Sequence, residues 1–546
     1  MTRTSSVVTC LATLLSSSLW AQHEHGPPRS AEQLGHVVFP ISCNPQAQQR
    51  FSRALTLLHS FWWEQGQAAF QAVADADSTC AMAYWGMALN AWGNPFAGGP
   101  GGNAGKGDPL RRGAAAAERA SALGAGTARE RGFLAASAAL YRGFDSIPNA
   151  RRLQAYSDTL ARVYRDFPDD PEVAIYYALS LVATASPTDT TFTRQRQAAA
   201  ILNPLFRRFP EHPGLAHYII HANDSPQLAA LGLDAARRYA QIAPSAPHAQ
   251  HMPSHIFVRL GLWDETIAAN QRSLDAGIEY AHAQRLRGVA PEQFHALDYM
   301  VYGYLQEGRD SAARRTVAQG LALSTALSTD VLVTNYNRTA MEARVPLERG
   351  EWAAAARLPV RAAGQGGIGE ALGHFARGIG AARSNDTAQA RAEVAALGAI
   401  QAELAGRPGY NWSRIVGIKR QAVAAWLLLA AGDTAGALRE AKAAADIEDV
   451  TAKHPVTPGE LLPARELEGD LLLAVGQYAS ARAAYEATLR REPGRSRSLF
   501  GAARAAELAG DVAAARTGYR VYLSRMQRSD GARAELGIAR GALSGR

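Results

Sequence analysis

A 34-residue recurrence near the end of the chain constrains the fold more than any other feature. A glycine, an alanine and a tyrosine recur together at this interval, as Gly476 and Gly510, Ala481 and Ala515, and Tyr485 and Tyr519. This period is typical of a helix–turn–helix unit that stacks on its own copies. The sequence therefore predicts an all-α chain that grows by adding helical hairpins.

The remainder of the chain also favours helices. No segment alternates apolar and polar residues in the manner of a half-buried strand. Weaker copies of the inter-helix turn occur at Gly261, Gly308, Gly350 and Gly432. A small residue at such a position permits two helices to approach closely. We therefore expect repeats before the C-terminal ones as well, less regular and interrupted by insertions.

The C-terminal pattern resembles the tetratricopeptide repeat superfamily, and the chain is similar to an exported, bacterial-type member. The matching residues are Gly469, Gly476, Ala481, Tyr485 and Pro493, followed by Ala503, Gly510, Ala515 and Tyr519. The resemblance covers most of residues 45–530. It implies an α-solenoid, a right-handed superhelix of hairpins, in which the first helix of each repeat faces a concave groove where ligands bind.

Four regions are predicted along the chain. Residues 1–21 have the basic start, short apolar run and small residues of a secretory signal peptide cleaved near Ala21. Residues 22–44 are expected to form a flexible leader. Residues 45–335 then form a degenerate N-terminal array with a histidine-lined groove, and residues 336–546 form a C-terminal array. We therefore expect an exported protein, periplasmic or extracellular.

Two cysteines remain after the predicted cleavage, Cys43 and Cys80. In an oxidising compartment an even pair favours a disulfide, here one that closes the first hairpin. The alternative is two small buried thiols.

Charge and hydropathy narrow the range of partners. The net charge of +8 is modest for 546 residues and comes from scattered arginines, so no nucleic-acid partner is expected. No later segment approaches the roughly 20 apolar residues that a membrane-spanning helix needs. The predicted partner is a peptide or a protein, and the oligomeric state is left open.

Histidines with helical spacing mark the candidate site. His217 and His221 are four residues apart, and His251 and His255 repeat that step 34 residues later. Such spacing places side chains on one helix face, at equivalent positions of successive repeats. Imidazoles from neighbouring helices could then meet at one ion, so these four residues are the predicted metal ligands.

Further polar residues are predicted to line the same groove wall. His248 and His295 each lie 13 residues before a turn glycine, and His255 and Tyr302 each lie six before. The predicted ligand-binding residues of this wall are Asp224, His248, Arg259, His295, Asp298 and Tyr302. Asp224 or Asp298 could also orient a metal-bound ring or be a further ligand.

Three interpretations of the histidines remain open. They could hold a single transition metal ion, with zinc the first candidate. They could instead recognise a polar ligand without metal, or form a packed network. Pro253 counts against the simplest geometry, because proline favours a helix start over a helix interior.

The predicted function is a binding scaffold for a peptide or protein partner, with or without a bound transition metal. The alternative is a metal-dependent hydrolase whose histidine cluster lies in the groove, and a lesser one is metal storage or delivery. No catalytic residue is assigned. The sequence lacks a metalloprotease motif, because His217 and His221 enclose no adjacent glutamate.

Overall fold

The computed structural model describes residues 32–96, 109–325, 331–361, 367–407 and 409–544. Within these ranges the chain is helical throughout and contains no β-strand, and one isolated bridge pairs Val289 with Thr325. The predicted signal peptide lies outside the described residues. No helix in the described ranges combines the length and apolar character that crossing a bilayer requires.

The helices follow one another with short connections. The first half contains α1 (Pro45–His59), α2 (Trp63–Ala76), α3 (Ala81–Trp92), α4 (Pro109–Leu123), α5 (Ala128–Tyr141), α6 (Asn149–Asp166), α7 (Pro171–Ala183), α8 (Thr193–Arg208), α9 (Pro213–Asn223), a 3-10 turn (Ala229–Gly232), α10 (Leu233–Ile242), α11 (Pro247–His251), α12 (Pro253–Leu260) and α13 (Trp263–Ala283). The second half contains α14 (Pro291–Gln306), α15 (Asp310–Ala322), α16 (Val331–Glu348), α17 (Trp352–Ala355), α18 (Ile368–Arg383), α19 (Thr387–Leu404), α20 (Trp412–Ala430), α21 (Thr434–Asp449), α22 (Ala464–Ala474), α23 (Tyr478–Arg491), α24 (Ser496–Leu508), α25 (Val512–Arg525) and α26 (Ala534–Ser544).

The turn glycines explain the hairpin geometry. All six predicted turn glycines have a positive φ, between 65° and 88°, where residues with a Cβ are strained: Gly261, Gly308, Gly350, Gly432, Gly476 and Gly510. Each follows one helix and precedes its partner, so the chain can reverse within a few residues. The predicted all-α, tetratricopeptide-like repeat fold is confirmed.

Close helix contacts explain the small residues of the repeat. Tyr485 of α23 is almost fully buried and packs against two glycines, Gly469 of α22 and Gly501 of α24. A Cβ built at either position would come within 3.0 Å of the Tyr485 ring. A larger residue at either position would therefore push the helices apart.

The N-terminal hairpin is supported by an ordered segment and a disulfide. Residues 33–44, predicted to be part of a flexible leader, are extended and packed, and Phe39 is buried against Phe51, Trp85 and Phe133. The predicted disulfide is present and joins Cys43, before α1, to Cys80, before α3.

Residues Gln33–Arg546 form one compact unit. The predicted boundary between residues 335 and 336 falls inside α16 and does not separate two compact units. Distant repeats are in contact: the Trp263 indole donates to the Gly494 carbonyl (3.2 Å), and Arg525 donates to the Gly261 carbonyl (3.2 Å). The last repeats therefore pack against the turn between α12 and α13.

The segment between α21 and α22 covers part of the inner helix surface. This inner segment (residues 451–463) accepts a hydrogen bond from the Tyr299 hydroxyl at the Thr457 carbonyl (3.3 Å). Arg344 of α16 donates to the Thr457 hydroxyl (3.0 Å) and the Gly459 carbonyl (3.0 Å). The chain itself thus occupies a surface that the sequence predicts to be an open groove.

Candidate metal centre

Three neighbouring first helices of the repeats carry six histidines. His217 and His221 lie on α9, His248 and His251 on α11, His255 on α12 and His295 on α14. Each of these four helices begins with a proline, whose fixed φ suits a helix start and whose missing N–H is not needed there. The ligand-bearing helices therefore have well-defined starts close to the histidines.

The first trio consists of His217, His221 and His248. The Nε2 atom of His217 lies 3.1 Å from that of His221 and 3.2 Å from that of His248. One ring nitrogen from each of the three lies within 4.8 Å of the others. Two nitrogens bound at about 2.0–2.1 Å to one tetrahedral ion lie about 3.3–3.4 Å apart. The first trio therefore has nearly the spacing of a metal site.

The second trio consists of His251, His255 and His295. The Nε2 atoms of His251 and His255 are 3.1 Å apart, and the three residues again offer ring nitrogens within 4.8 Å of one another. The ring centres of His251 and His295 are 4.4 Å apart. Both trios follow one construction rule: a pair four residues apart on one repeat, completed by a histidine of the next.

Outer hydrogen bonds fix the protonation of the first trio. The Nδ1 of His217 faces the carbonyl oxygen of His59 (2.6 Å), which can only accept, so Nδ1 carries the proton. The Nδ1 of His248 is hydrogen-bonded to a carboxylate oxygen of Glu292. In both rings Nε2 is therefore left with a free lone pair, the form that binds a metal.

The second trio is fixed in the same way. The Nδ1 of His251 donates to the side-chain oxygen of Asn270 (2.6 Å), whose amide group is oriented by its own bond to the Thr266 carbonyl (2.8 Å). The Nδ1 of His255 donates to Asp224 (3.0 Å). Both Nε2 atoms again present lone pairs.

These assignments leave two close contacts without a hydrogen to share. His217 and His248 present bare Nε2 atoms to each other at 3.2 Å, and His251 and His255 do so at 3.1 Å. Two buried lone pairs at this distance repel unless a cation or proton lies between them. Within the described residues the buried Nδ1 of His295 also has no hydrogen-bond partner. The donor set therefore fits a metal ion in each trio.

Burial keeps the imidazoles neutral. It lowers the pKa of His217, His221, His251 and His295 well below the usual value, and the neighbouring histidines lower it further. Burial also lowers the pKa of His255, and Asp224 offsets part of that effect. A proton is thus a poor occupant of the space between these rings.

Asp224 is held as a carboxylate. Burial alone would raise its pKa, but Arg259, Lys453 and His255 together hold the pKa of Asp224 well below its usual range. Arg259 donates to one carboxylate oxygen (2.9 Å) while His255 donates to the other (3.0 Å). Asp224 therefore orients a ligand, one of the two roles predicted for it, and Arg259 orients Asp224.

Aromatic rings enclose both trios. Phe61 lies over the first trio, with its ring centre 4.4 Å from that of His217 and 5.7 Å from that of His248. Its backbone has a φ of 52°, an unfavourable value for a bulky residue and one that is typically held by surrounding structure at functional sites. Tyr299 lies 4.9 Å from His251 and also from His295. The candidate ligands are thereby largely shielded from water.

Pro253 divides the histidine helix without separating its ligands. α11 ends at His251 and α12 begins at Pro253, and Met252 between them keeps helical backbone angles. His251 and His255 therefore keep their one-turn relation, and their Nε2 atoms meet.

A third histidine group has no free nitrogen. His59 and His212 both bond to Glu172 through Nε2, at 3.1 Å and 2.7 Å. The remaining nitrogens face the Tyr218 hydroxyl (3.0 Å) and the Leu215 backbone N–H (3.4 Å). This network supports the first trio through the His59 carbonyl and is not itself a metal site.

The four predicted metal ligands do not form one group. His217 and His221 belong to the first trio, and His251 and His255 to the second. His248 and His295, predicted as groove residues, complete the two trios. The reason is geometric: the next repeat supplies the third ligand, so equivalent pairs lie in neighbouring sites and not in a single one.

Two predicted groove residues have other partners. Asp298 is fully buried in a two-bond ion pair with Arg344 (2.7 and 2.9 Å). The Tyr302 hydroxyl donates to Glu492 (3.0 Å) and accepts from Arg495 (3.2 Å). Both residues connect α14 to later parts of the chain, so they hold the fold together at this point and do not line an open groove.

Comparisons with known proteins add little to this geometry. No protein-family model matches the sequence, and no curated protein matches it. Similar solved structures include a human IFIT1 dimer with m7Gppp-AAAA (11% identity, 76% of this chain and 86% of that one, TM-score 0.36). Others are the APC/C hetero-tetramer Cut9–Hcn1 (11%, 91% and 89%, 0.32) and yeast Tom70 (9%, 91% and 96%, 0.27). Nothing about ligands follows from likenesses at this level.

The chain's own hairpins decide the fold. The chain has a tetratricopeptide-repeat fold. Its turn glycines have left-handed backbone angles, and its tyrosine–glycine contacts lie where the 34-residue pattern places them. In this repeat protein the histidines lie on the first helices of three consecutive repeats, and that placement is the feature that a function has to explain.

Proposed function

We propose that this repeat protein is a metalloprotein that holds two transition metal ions, one in each histidine trio. The observation that supports this most directly is the pair of contacts between bare Nε2 atoms, His217 to His248 and His251 to His255. A bound cation turns each repulsive contact into two coordinate bonds. No other arrangement of the assigned protons satisfies both contacts while the rings stay neutral.

The ligand chemistry narrows the metal. Imidazole suits Zn, Cu, Ni and Fe, whereas Mg and Ca prefer oxygen ligands. The nearest carboxylates, Asp224 and Glu292, are bonded to Nδ1 atoms and so lie outside the coordination shell. Zinc and copper are thus the first candidates.

Three ligands on an ion leave one coordination position open. A metal there can lower the pKa of bound water and polarise a substrate. The chain's own residues would hold the ions through Nε2, orient the rings through Nδ1 and exclude bulk water with Phe61 and Tyr299. This supports a metal-dependent hydrolase as the enzymatic form of the proposal, ahead of metal storage or delivery.

Export belongs to the same proposal. The disulfide between Cys43 and Cys80 is stable in an oxidising compartment and rare in the cytosol. Together with the signal-like first 21 residues it supports a periplasmic or extracellular protein.

Partner binding by the repeats is the second candidate function. A groove of about 570 Å³ lies between α6, α7 and α8, and the stacked rings of Tyr164 and Tyr177 line it (5.3 Å between centres). An extended peptide is the expected occupant. Replacing Tyr177 with Ala should weaken capture of such a partner without changing metal content. The prediction that no nucleic acid binds stays a prediction.

Metal analysis of the protein, purified without a histidine tag, tests the main proposal. After chelation, reloading with zinc or copper and exhaustive dialysis, we expect two ions retained per chain. The exposed His282→Ala variant is the matched control and should retain both. Retention of no ion, or equal loss from the control, would contradict the proposal.

A further inference from the structure

We propose that the two trios form one dinuclear centre whose ions share a small bridging anion. This rests on the proposed function, since it requires an ion in each trio. It adds the class of ligand that the centre takes: a small anion such as hydroxide or azide, and not a bulky organic substrate.

The trios are adjacent because one helical turn supplies both. His248 of the first trio and His251 of the second lie three residues apart on α11, and their ring centres are 6.3 Å apart. The electrostatic influence of His255 reaches across to His221, a ligand of the other trio. The two open coordination positions therefore belong to neighbouring ions within one enclosed space.

The charge of the centre favours an anion. Six neutral imidazoles leave the charge of two divalent ions uncompensated. Two carboxylates, Asp224 and Glu292, contact the outer nitrogens, and Arg259 pairs with Asp224 and cancels part of that compensation. The buried centre keeps an excess of positive charge, which a bridging anion would reduce.

The enclosure limits the size of the ligand. The Phe61 ring covers the first trio, and the Phe96 ring lies 4.1 Å from that of His221, centre to centre. Tyr299, fully buried, closes the second trio. Aromatic rings offer no hydrogen-bonding groups to orient a polar substrate at the ions. A small anion held by the ions themselves needs none.

Electron paramagnetic resonance of the copper-loaded full chain tests the inference. Two Cu(II) ions joined by a bridging anion couple their spins, so most of the signal intensity should be lost relative to the total copper. Azide added to this protein should bind as one anion per two coppers and shift the optical absorption. The His217→Ala/His221→Ala variant, which keeps only the second trio, should retain one copper with its full signal.

The outcomes separate this inference from the proposed function. Two retained coppers with the signal lost support both. Two retained coppers with full signal intensity, before and after azide, overturn the shared centre and leave the proposed function intact. No retained copper in the wild-type chain overturns both. The wild-type measurements decide these cases even where a variant fails to fold.

Discussion

The two trios use the same ligand pattern and differ in what surrounds it. In the first, the outer partners are a backbone carbonyl of His59 and the side chain of Glu292, which is 31% exposed. In the second, they are the buried Asn270 amide and Asp224, which is 13% exposed and fixed by Arg259. The ligand geometry is thus copied by the repeat, while the rigidity of each site depends on elements outside the repeat pattern.

This difference predicts unequal sites. The second trio is covered by Tyr299 and the inner segment, and its outer acceptors are themselves hydrogen-bonded. Preorganised ligands lose less entropy on binding and keep their orientation. We therefore expect the second trio to bind its ion more tightly and the first to exchange its ion more readily.

Removing one ligand pair should have the largest effect. His217→Ala/His221→Ala should abolish retention of the weaker ion, and His251→Ala/His255→Ala should abolish retention of the tighter one, because a single remaining imidazole cannot hold a metal against a chelator. Metal analysis after competition with a chelator checks both. If either double variant loses both ions while keeping its helical circular dichroism, the two sites are not separable.

Changing an outer carboxylate should have a smaller, site-specific effect. Asp224→Asn should weaken the tighter site by about 10–100-fold, the usual range for an outer partner of a metal-bound histidine. Glu292→Gln should weaken the other site by less, because the exposed Glu292 orients His248 less firmly. Competitive titration gives both affinities.

The matched control is Asp234→Asn, an exposed carboxylate 80% accessible and paired only with Arg238. It should change neither affinity. Equal losses for Asp224→Asn and Glu292→Gln would remove the proposed inequality between the sites.

The pH dependence of the metal-free protein should be the smallest effect. The buried histidines have folded-state pKa values below the unfolded value of about 6.5, so below that pH the unfolded chain binds more protons. Stability is therefore lost as the pH falls through about 6.5. Urea denaturation at pH 8 and pH 5.5 measures this loss.

Replacing a histidine pair should flatten this dependence. His217→Ala/His221→Ala should flatten it at least as much as His251→Ala/His255→Ala, since Asp224 partly restores the pKa of His255. A wild-type stability that rises on acidification would contradict the neutral-imidazole assignment.

Much of the fold could be predicted from the sequence, for a local reason. Turn glycines and small crossing residues act within one hairpin, so their 34-residue spacing appears directly in the chain. The pairs His217–His221 and His251–His255 are equally local, because a four-residue step is one helical turn. The disulfide followed from the compartment argument.

The composition of each site could not be predicted in the same way. The third ligand of each trio comes from the next repeat, and an insertion before α14 places His295 44 residues after His251 where the regular interval is 34. The equal distance of His248 and His295 from their turn glycines was the available signal that they play one role. Asn270 and Phe61 carried no signal, since only packing between helices brings them to the histidines.

Anomalous X-ray scattering from crystals of the copper- or zinc-loaded protein tests the central claim most directly. We expect two peaks, one about 2.0–2.1 Å from nitrogens of His217, His221 and His248, and one at the same distance from those of His251, His255 and His295. A single peak shared by His217, His221, His251 and His255, or no peak at either trio, would contradict this account.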